Sequence, residues 1–318
     1  MFCNKDFINF IEKSRKSSKD IVLVNILDTK GFSYSKSCTS MMIDNLGDFE
    51  GSINGGVFEE EIISLSKEIL EDKKGKYVVY NYEIKDELAE NLNKEDLLQG
   101  EIRLWCEPFY FRDNYGSLAI ALNNALNDIN NTLIRSTKNS GAHSFSPTFD
   151  KRDCFYNEEE KLFYQKIVSP YRLLVFGTQI ESESLVQMAN ILGWQTFVCD
   201  VNDTKLKKIK SADERIFLKS NEQAFEVLNS KKFDAAVVMS HNFANDAMYL
   251  KALIESKVEY IGVLGTKERT QLILKSLYKR TTPIDSRIHN PAGLDIGAQT
   301  PQAIALSICA QIESLKNK

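Results

Sequence analysis

From Tyr171 onward the chain alternates short apolar runs with amphipathic stretches, and that alternation leaves few folds open. RLLVFG reads as a strand, ESESLVQMANILG as a helix, WQTFVCD and DERIFL as strands and AFEVLNSK as a helix. DAAVVMS is a fourth strand, ANDAMYLKALIES a helix, VEYIGVLG a fifth strand and KERTQLILKSLYK a helix, with IALSICAQI closing the chain. Strands separated by helices of about ten to fifteen residues build a parallel sheet with right-handed crossovers. The expectation is a Rossmann-like doubly wound parallel-sheet domain over residues 170–318.

The preceding residues have a different texture. After an amphipathic first helix, IVLVNILDT is a buried strand, MMIDNLGDFEGSI a hairpin turning at Asn45 to Gly47, and VFEEEIISLSKEIL a helix behind Gly55-Gly56. YVVYNYEI and EIRLWCEPFYF add strand signal, and a helix is predicted from Tyr115 to about Ile134. Residues 1–136 are therefore expected to form a mixed α+β domain. Residues 137–169, rich in Ser, Thr, Asn, Lys and Asp without periodicity, are read as a linker or crossing segment. The fold class is α/β overall.

At 318 residues, 43% hydrophobic and 26% charged, the chain can bury two cores. A net charge of −4 argues against a partner nucleic acid, because phosphate neutralisation needs a concentrated basic face. No run approaches the roughly 20 apolar residues that span a bilayer, and the N-terminus interrupts its apolar residues with Lys5, Asp6, Glu12 and Lys13. No membrane association is expected, and a cytoplasmic location is. The six cysteines are scattered without metal or disulfide spacing and read as buried hydrophobes or surface thiols.

Ligands of a doubly wound sheet bind at the carboxyl ends of its strands, near the reversal of winding. A dinucleotide pyrophosphate there needs a glycine-rich turn opening onto a helix N-terminus. The turn here is Gly177-Thr178-Gln179-Ile180-Glu181-Ser182, with one glycine retained, a side chain where phosphate would approach the backbone, and an added carboxylate. Asp200, about twenty residues on, stands where a ribose-binding acid would. His241 and Asp246 follow the fourth strand and Gly262 and Gly265 flank the end of the fifth. The segment RIHNPAGLDIGAQTPQAIALSI carries Arg287, His289 and Asp295 on a loop stiffened by Pro291 and Pro301, with Thr300 as an N-cap. A site and a merely pinned loop are both open readings of that segment.

Taken together, these stretches resemble the XdhC/CoxI family of accessory proteins to xanthine dehydrogenase and carbon monoxide dehydrogenase. The likeness lies in LDTKG, MMIDNLGDFEGSINGG and the Cys-Glu-Pro at Cys106 to Pro108, then in RLLVFG, GWQTFVCD, AAVVMSH, EYIGVLGTKER and RIHNPAGLDIGAQTPQAIALSI. The resemblance implies a protein without turnover of its own that holds molybdenum cofactor (molybdopterin) during sulfuration and inserts it into a molybdenum hydroxylase. It assigns Gly51, Ser52, Gly55, Gly56 and Glu59 to an N-terminal pocket, and Gly177, Asp200, His241, Asp246, Gly265, His289 and Asp295 to a C-terminal crevice, with no metal ligand. Expected partners are a xanthine dehydrogenase-type hydroxylase, a cysteine desulfurase and a second copy of the chain in a homodimer.

The sequence departs from the family at several polar positions. The cysteine after Gly-Gly is Val57, a second family cysteine is replaced by Leu98 or Gln99, Pro-Arg by Tyr34-Ser35, and Gly-His by Gln179-Ile180. The acidic-His pair after the fourth strand is Asn242-Phe243. Cys38 is a candidate substitute for the lost thiol. Two other readings stay open: an NAD(P)-dependent oxidoreductase using the Rossmann half, and a cofactor-free pseudo-member acting in assembly.

Overall fold

The computed structural model describes residues 5–31, 33, 35–53, 57–83, 99–147, 152–278 and 285–316. The chain divides into two compact units, Met1–Pro170 and Tyr171–Lys318.

In the first unit, β1 (Ile21–Gly31), β2 (Ser40–Asp44), β3 (Phe49–Gly51), β4 (Lys76–Glu83) and β5 (Gln99–Phe109) form an antiparallel sheet in the order β3-β2-β1-β5-β4. Successive residues of a strand face opposite sides, and β1 uses both. Ile21 and Leu23 join Phe7, Phe10 and Ile11 of α1 (Lys5–Lys16) and Leu118 and Leu122 of α3 (Gly116–Leu126). Val22, Val24 and Ile26 pack instead with Ile62 and Ile69 of α2 (Val57–Asp72). Burial on both faces explains why β1 reads as a continuous apolar run. A register shift between Ile26 and Asp28 turns Leu27 toward Trp105 and Phe163.

Two expectations fail in this unit. The helix predicted from Tyr115 to Ile134 stops at Leu126, and β6 (Asn131–Ser136) follows a turn in which Asp128 has φ +61°. The segment read as a linker over 137–169 contributes β7 (His143–Ser146), β8 (Cys154–Asn157) and β9 (Leu162–Ile167), which join β6 in an antiparallel sheet ordered β7-β6-β9-β8. A disulfide ties Cys38, beside β2, to Cys154 on β8, with Cα atoms 5.7 Å apart. The reading of Cys38 as a free substitute thiol is thereby overturned, as is that of six unpaired cysteines.

The second unit is the doubly wound sheet that the alternation predicts. Its strands are β10 (Arg172–Phe176), β11 (Gln195–Asp200), β12 (Glu214–Phe217), β13 (Ala235–Val238), β14 (Tyr260–Val263) and β15 (Ile288–His289). All pair in parallel in the order β12-β11-β10-β13-β14-β15. On one face Leu173 and Val175 pack with α4 (Ile180–Ile191) and α9 (Pro301–Lys316) through Leu185, Val186, Ala305 and Ile308. On the other, Leu174 and Phe176 meet α6 (Ala224–Ser230), α7 (Phe243–Ile254) and α8 (Lys267–Leu277) through Ala224, Leu250, Leu253 and Ile273. A short helical turn, α5 (Asp203–Leu206), follows β11. The sixth strand was not foreseen; it is two residues at the head of the Pro- and Gly-rich segment.

Candidate functional site

Parallel strands deliver their carboxyl ends to one edge, and this edge collects the predicted residues of the second unit. Gly177 follows β10, Asp200 ends β11, Ser240 and His241 follow β13, Gly265 follows β14 and His289 ends β15. The strand order places β10 beside β13, the reversal point where ligands of such sheets bind.

At that point the loops touch. Gly177 has φ +114°, and a Cβ there would lie 2.7 Å from backbone atoms of Met239 and Ser240. The glycine is required by close packing of one loop on the next as much as by any ligand. Gln179 then bridges the crevice, its Nε2 donating to the Ser240 carbonyl at 3.0 Å. The first turn of α4 carries Glu181 and Glu183 and has no side-chain cap. Asp200 is engaged locally: Thr178 Oγ1 donates to Oδ2 at 2.7 Å and the Asn202 amide to Oδ1 at 2.8 Å. A bridged crevice with carboxylates at the helix start is a poor seat for a pyrophosphate.

Asp246, 1% exposed, accepts from the Ser240 amide at 3.1 Å and from its hydroxyl at 2.5 Å, and forms a 2.7 Å ion pair with Arg269 of α8. It holds the loop after β13 against the next helix. Arg269 was not singled out from the sequence; the only available signal was its position in the stretch GTKER. His241 is exposed at φ +58°, while Asn242 and Thr266 cap α7 and α8. Gly265 has φ +127°, its carbonyl accepts from Asn290 Nδ2 at 3.0 Å, and a Cβ there would meet nothing nearer than Arg269 at 3.6 Å. His289 stacks on Tyr260 with centroids 4.6 Å apart, and burial holds its pKa below the usual imidazole value. Asp295 is exposed on the loop before α9.

Of the two readings left open for the Pro- and Gly-rich segment, the pinned loop describes Arg287. Its guanidinium binds Asp285 at 2.7 Å and the carbonyls of Ile254, Ser256 and Val258 at 2.7, 2.8 and 2.8 Å. It thus satisfies acceptors left free at the end of α7. Thr300 caps α9 as predicted, its Oγ1 accepting from the Ala303 amide at 3.2 Å.

In the first unit, Ser52 donates to the Glu59 carboxylate, so those two predicted residues do meet. Gly51, at φ +83°, lies where a Cβ would be 2.4 Å from the Ser40 carbonyl, which makes it a packing position of the hairpin. Gly55 and Gly56 lie outside the described residues. Among the described residues no group of three or more His, Cys, Asp or Glu is arranged to hold a metal. The free thiols among the described residues are buried: burial pushes Cys106 and Cys309 up to about 12 and Cys199 further in the same direction, so these three stay protonated near neutral pH. No helix among the described residues is long and apolar enough to cross a membrane.

Sheet order and edge define a Rossmann-type unit with a bridged reversal point, preceded by a mixed α+β unit. Residues 173–312 match the family model described as the XdhC Rossmann domain, and residues 14–82 match that of the XdhC and CoxI family. The chain belongs to the XdhC and CoxI family. It is 23% identical to a Bacillus subtilis (strain 168) protein named as a probable xanthine dehydrogenase subunit, over 96% of both chains. It is also 29% identical to the uncharacterized protein YqeB of Escherichia coli (strain K12), over 46% of this chain and 27% of that one. The fold matches a crystal structure described as a xanthine dehydrogenase from Bacillus halodurans with a TM-score of 0.77 at 24% identity, covering 99% of this chain and 96% of the other.

Proposed function

We propose that this chain is an accessory protein to a molybdenum hydroxylase of the xanthine dehydrogenase type, binding molybdenum cofactor stoichiometrically in the cytoplasm and passing it to the apo-hydroxylase. One observation carries the reading: both units match the same family in chain order, while the Gln179 side chain spans the point where a dinucleotide enzyme would seat its pyrophosphate.

The residues fit one end of the cofactor and not the other. At the starts of α7 and α8, Asn242 and Thr266 each cap one amide and the other first-turn amides have no intrahelical acceptor, and beside them Gly265 carries no side chain, with Arg269 3.6 Å from its Cβ position, which suits an anionic, phosphate-bearing tail. Nothing among the described residues offers molybdenum a thiolate, because the free cysteines are protonated and Cys38 is bonded. The role assigned here is therefore holding and handing over, with sulfur supplied by a partner such as a cysteine desulfurase.

The same bridge favours a second reading, a family member that has lost the cofactor and acts in assembly of the hydroxylase. Maturation separates both from unrelated functions. Deleting the chain from its host should leave the hydroxylase present but inactive, and restoring it should recover activity; unchanged hydroxylase activity in the deletion contradicts the accessory role. Calorimetric titration with NAD and NADP should give no heat of binding, and a micromolar dissociation constant would revive an oxidoreductase.

A further inference from the structure

The carboxylate of the Cys-Glu-Pro segment, Glu107, is wholly buried and surrounded by donors. The Gly141 amide and His143 Nε2 lie 2.9 and 2.9 Å from Oε1, Trp105 Nε1 lies 3.1 Å from Oε2, and the buried Arg135 guanidinium lies 3.6 Å from Oε2. Burial alone would raise its pKa, but the His143 contact, Arg135 and the Gly141 amide together hold it below the ordinary carboxyl value. An ionised carboxylate only accepts hydrogen bonds, so Nε2 carries a proton, and in the neutral imidazole Nδ1 then presents its lone pair. Ser117 Oγ stands 2.5 Å from that Nδ1. Hydroxyl, imidazole and buried carboxylate are thus connected in the order of an acyl-transfer triad, with the roles of the two ring nitrogens exchanged relative to the Ser-His-Asp arrangement.

The backbone around Ser117 has the features that nucleophilic serines use. Asn114, Tyr115 and Gly116 take φ values of +49°, +57° and +48°, three consecutive left-handed residues that swing the chain from β5 toward α3. Such strain persists where the surrounding structure enforces it, often at functional sites. Ser117 sits in the first turn of α3, whose N-cap Tyr115 makes no side-chain cap. The first-turn amides of a helix have no intrahelical acceptor, and donors of that kind can stabilise a developing oxyanion. Ile120, 52% exposed, shares the helix face of Ser117, and Phe145, 40% exposed, shares the strand face of His143. Apolar surface beside the hydroxyl suits an aliphatic or aromatic acyl group.

We infer that Ser117, His143 and Glu107 form an esterase-type site for carboxylic esters with apolar acyl groups. Ser117 Oγ attacks the ester carbonyl while its proton passes to His143 Nδ1. The tetrahedral intermediate collapses, the C–O bond to the alcohol breaks, and the alcohol leaves with that proton. Water then attacks the acyl-serine, His143 accepting and returning its proton, to release the acid and regenerate Ser117. The net change is ester plus water to acid plus alcohol. Glu107 is a positioning residue that fixes the imidazole tautomer.

The test uses the folded full-length chain, a serine-directed fluorophosphonate and p-nitrophenyl acetate, butyrate and octanoate. Stoichiometric labelling of Ser117, located by peptide mass spectrometry, is expected, with butyrate or octanoate preferred over acetate. Ser117→Ala should abolish both labelling and hydrolysis, and His143→Gln should slow hydrolysis on the order of 10²–10⁴-fold. Glu107→Gln should lower kcat with KM unchanged, a split that general loosening of the fold would not give. Circular dichroism of each variant secures the comparison. A folded wild-type chain that takes no label at Ser117, or hydrolyses all three esters no faster than Ser117→Ala, overturns the inference.

Discussion

Glu107 and Arg135 show how a buried charge becomes part of the architecture. Both are 0% exposed, and Arg135 reaches beyond the carboxylate to Gln165 Oε1 at 2.8 Å and to the Asn25 side chain, so the pair anchors a polar network inside the first unit. Desolvation lowers the guanidinium to about 10, which leaves it charged at neutral pH. Removing one partner strands the other, so Glu107→Gln should cost about 3–5 kcal/mol in denaturant unfolding. Because the folded carboxyl lies below its ordinary value, its contribution is complete above about 4.5 and is lost as pH falls through the depressed value. The loss of stability on acidification should accordingly be steeper in the wild type than in Glu107→Gln; parallel curves would contradict the account. Gly293 makes a simpler case. With φ +103° and a Cβ position 2.2 Å from Ser307 Oγ, Gly293→Ala should lower stability by about 1–3 kcal/mol, read as a fall in Tm. An unchanged Tm would mean that the loop yields freely.

At the scale of elements, what could be read in advance followed from which faces are covered by apolar side chains. The second unit was legible because its four central strands, β10, β11, β13 and β14, are buried on both sides and helices with apolar faces separate the strands, giving two periods that are easily told apart. The end of α3 was not, since Leu122, Leu126, Ile129 and Leu133 continue a helical spacing into β6 and only the left-handed Asp128 breaks it. The strands β7 to β9 were missed for a different reason. β9 does alternate in burial, but Gln165 occupies one inward position and its neighbour β6 contributes Arg135, so the pattern is structural without being hydrophobic. Of the candidate site, the strand-end positions were legible from topology, whereas the Gln179 bridge and the Asp246–Arg269 pair depend on side-chain directions that no spacing reveals.

The Cys38–Cys154 bond belongs to the same scale, because it fastens the segment before β2 to β8 across 116 residues of sequence. Closing a loop of that size contributes about 5 kcal/mol in the chain-entropy account. Oxidised protein unfolded in denaturant should titrate four thiols, the six cysteines less the bonded pair, and six after reduction. Cys38→Ser with Cys154→Ser should lower stability by about 2–5 kcal/mol relative to the oxidised form. Six thiols without reductant would remove the bond from the account. In a reducing cytosol such pairs are usually open, so the reduced and oxidised chains are expected to differ measurably in Tm.

At the scale of the whole molecule, family membership and the edge geometry support the proposed carrier role, in which the chain would bind molybdenum cofactor without turning it over. A Rossmann sheet is compatible with many functions, and function is argued from its site. Here the reversal point is bridged, the free thiols among the described residues are buried, and α7 and α8 start at the same edge behind the caps Asn242 and Thr266. The carrier proposed above would hold the anionic tail and leave the metal end for a partner.

Metal and pterin analysis of the chain purified from a molybdate-replete host tests that claim most directly. The account predicts molybdopterin co-purifying, or binding on addition, at about one per chain. Protein that carries no molybdenum or pterin and takes up none when it is supplied would contradict it.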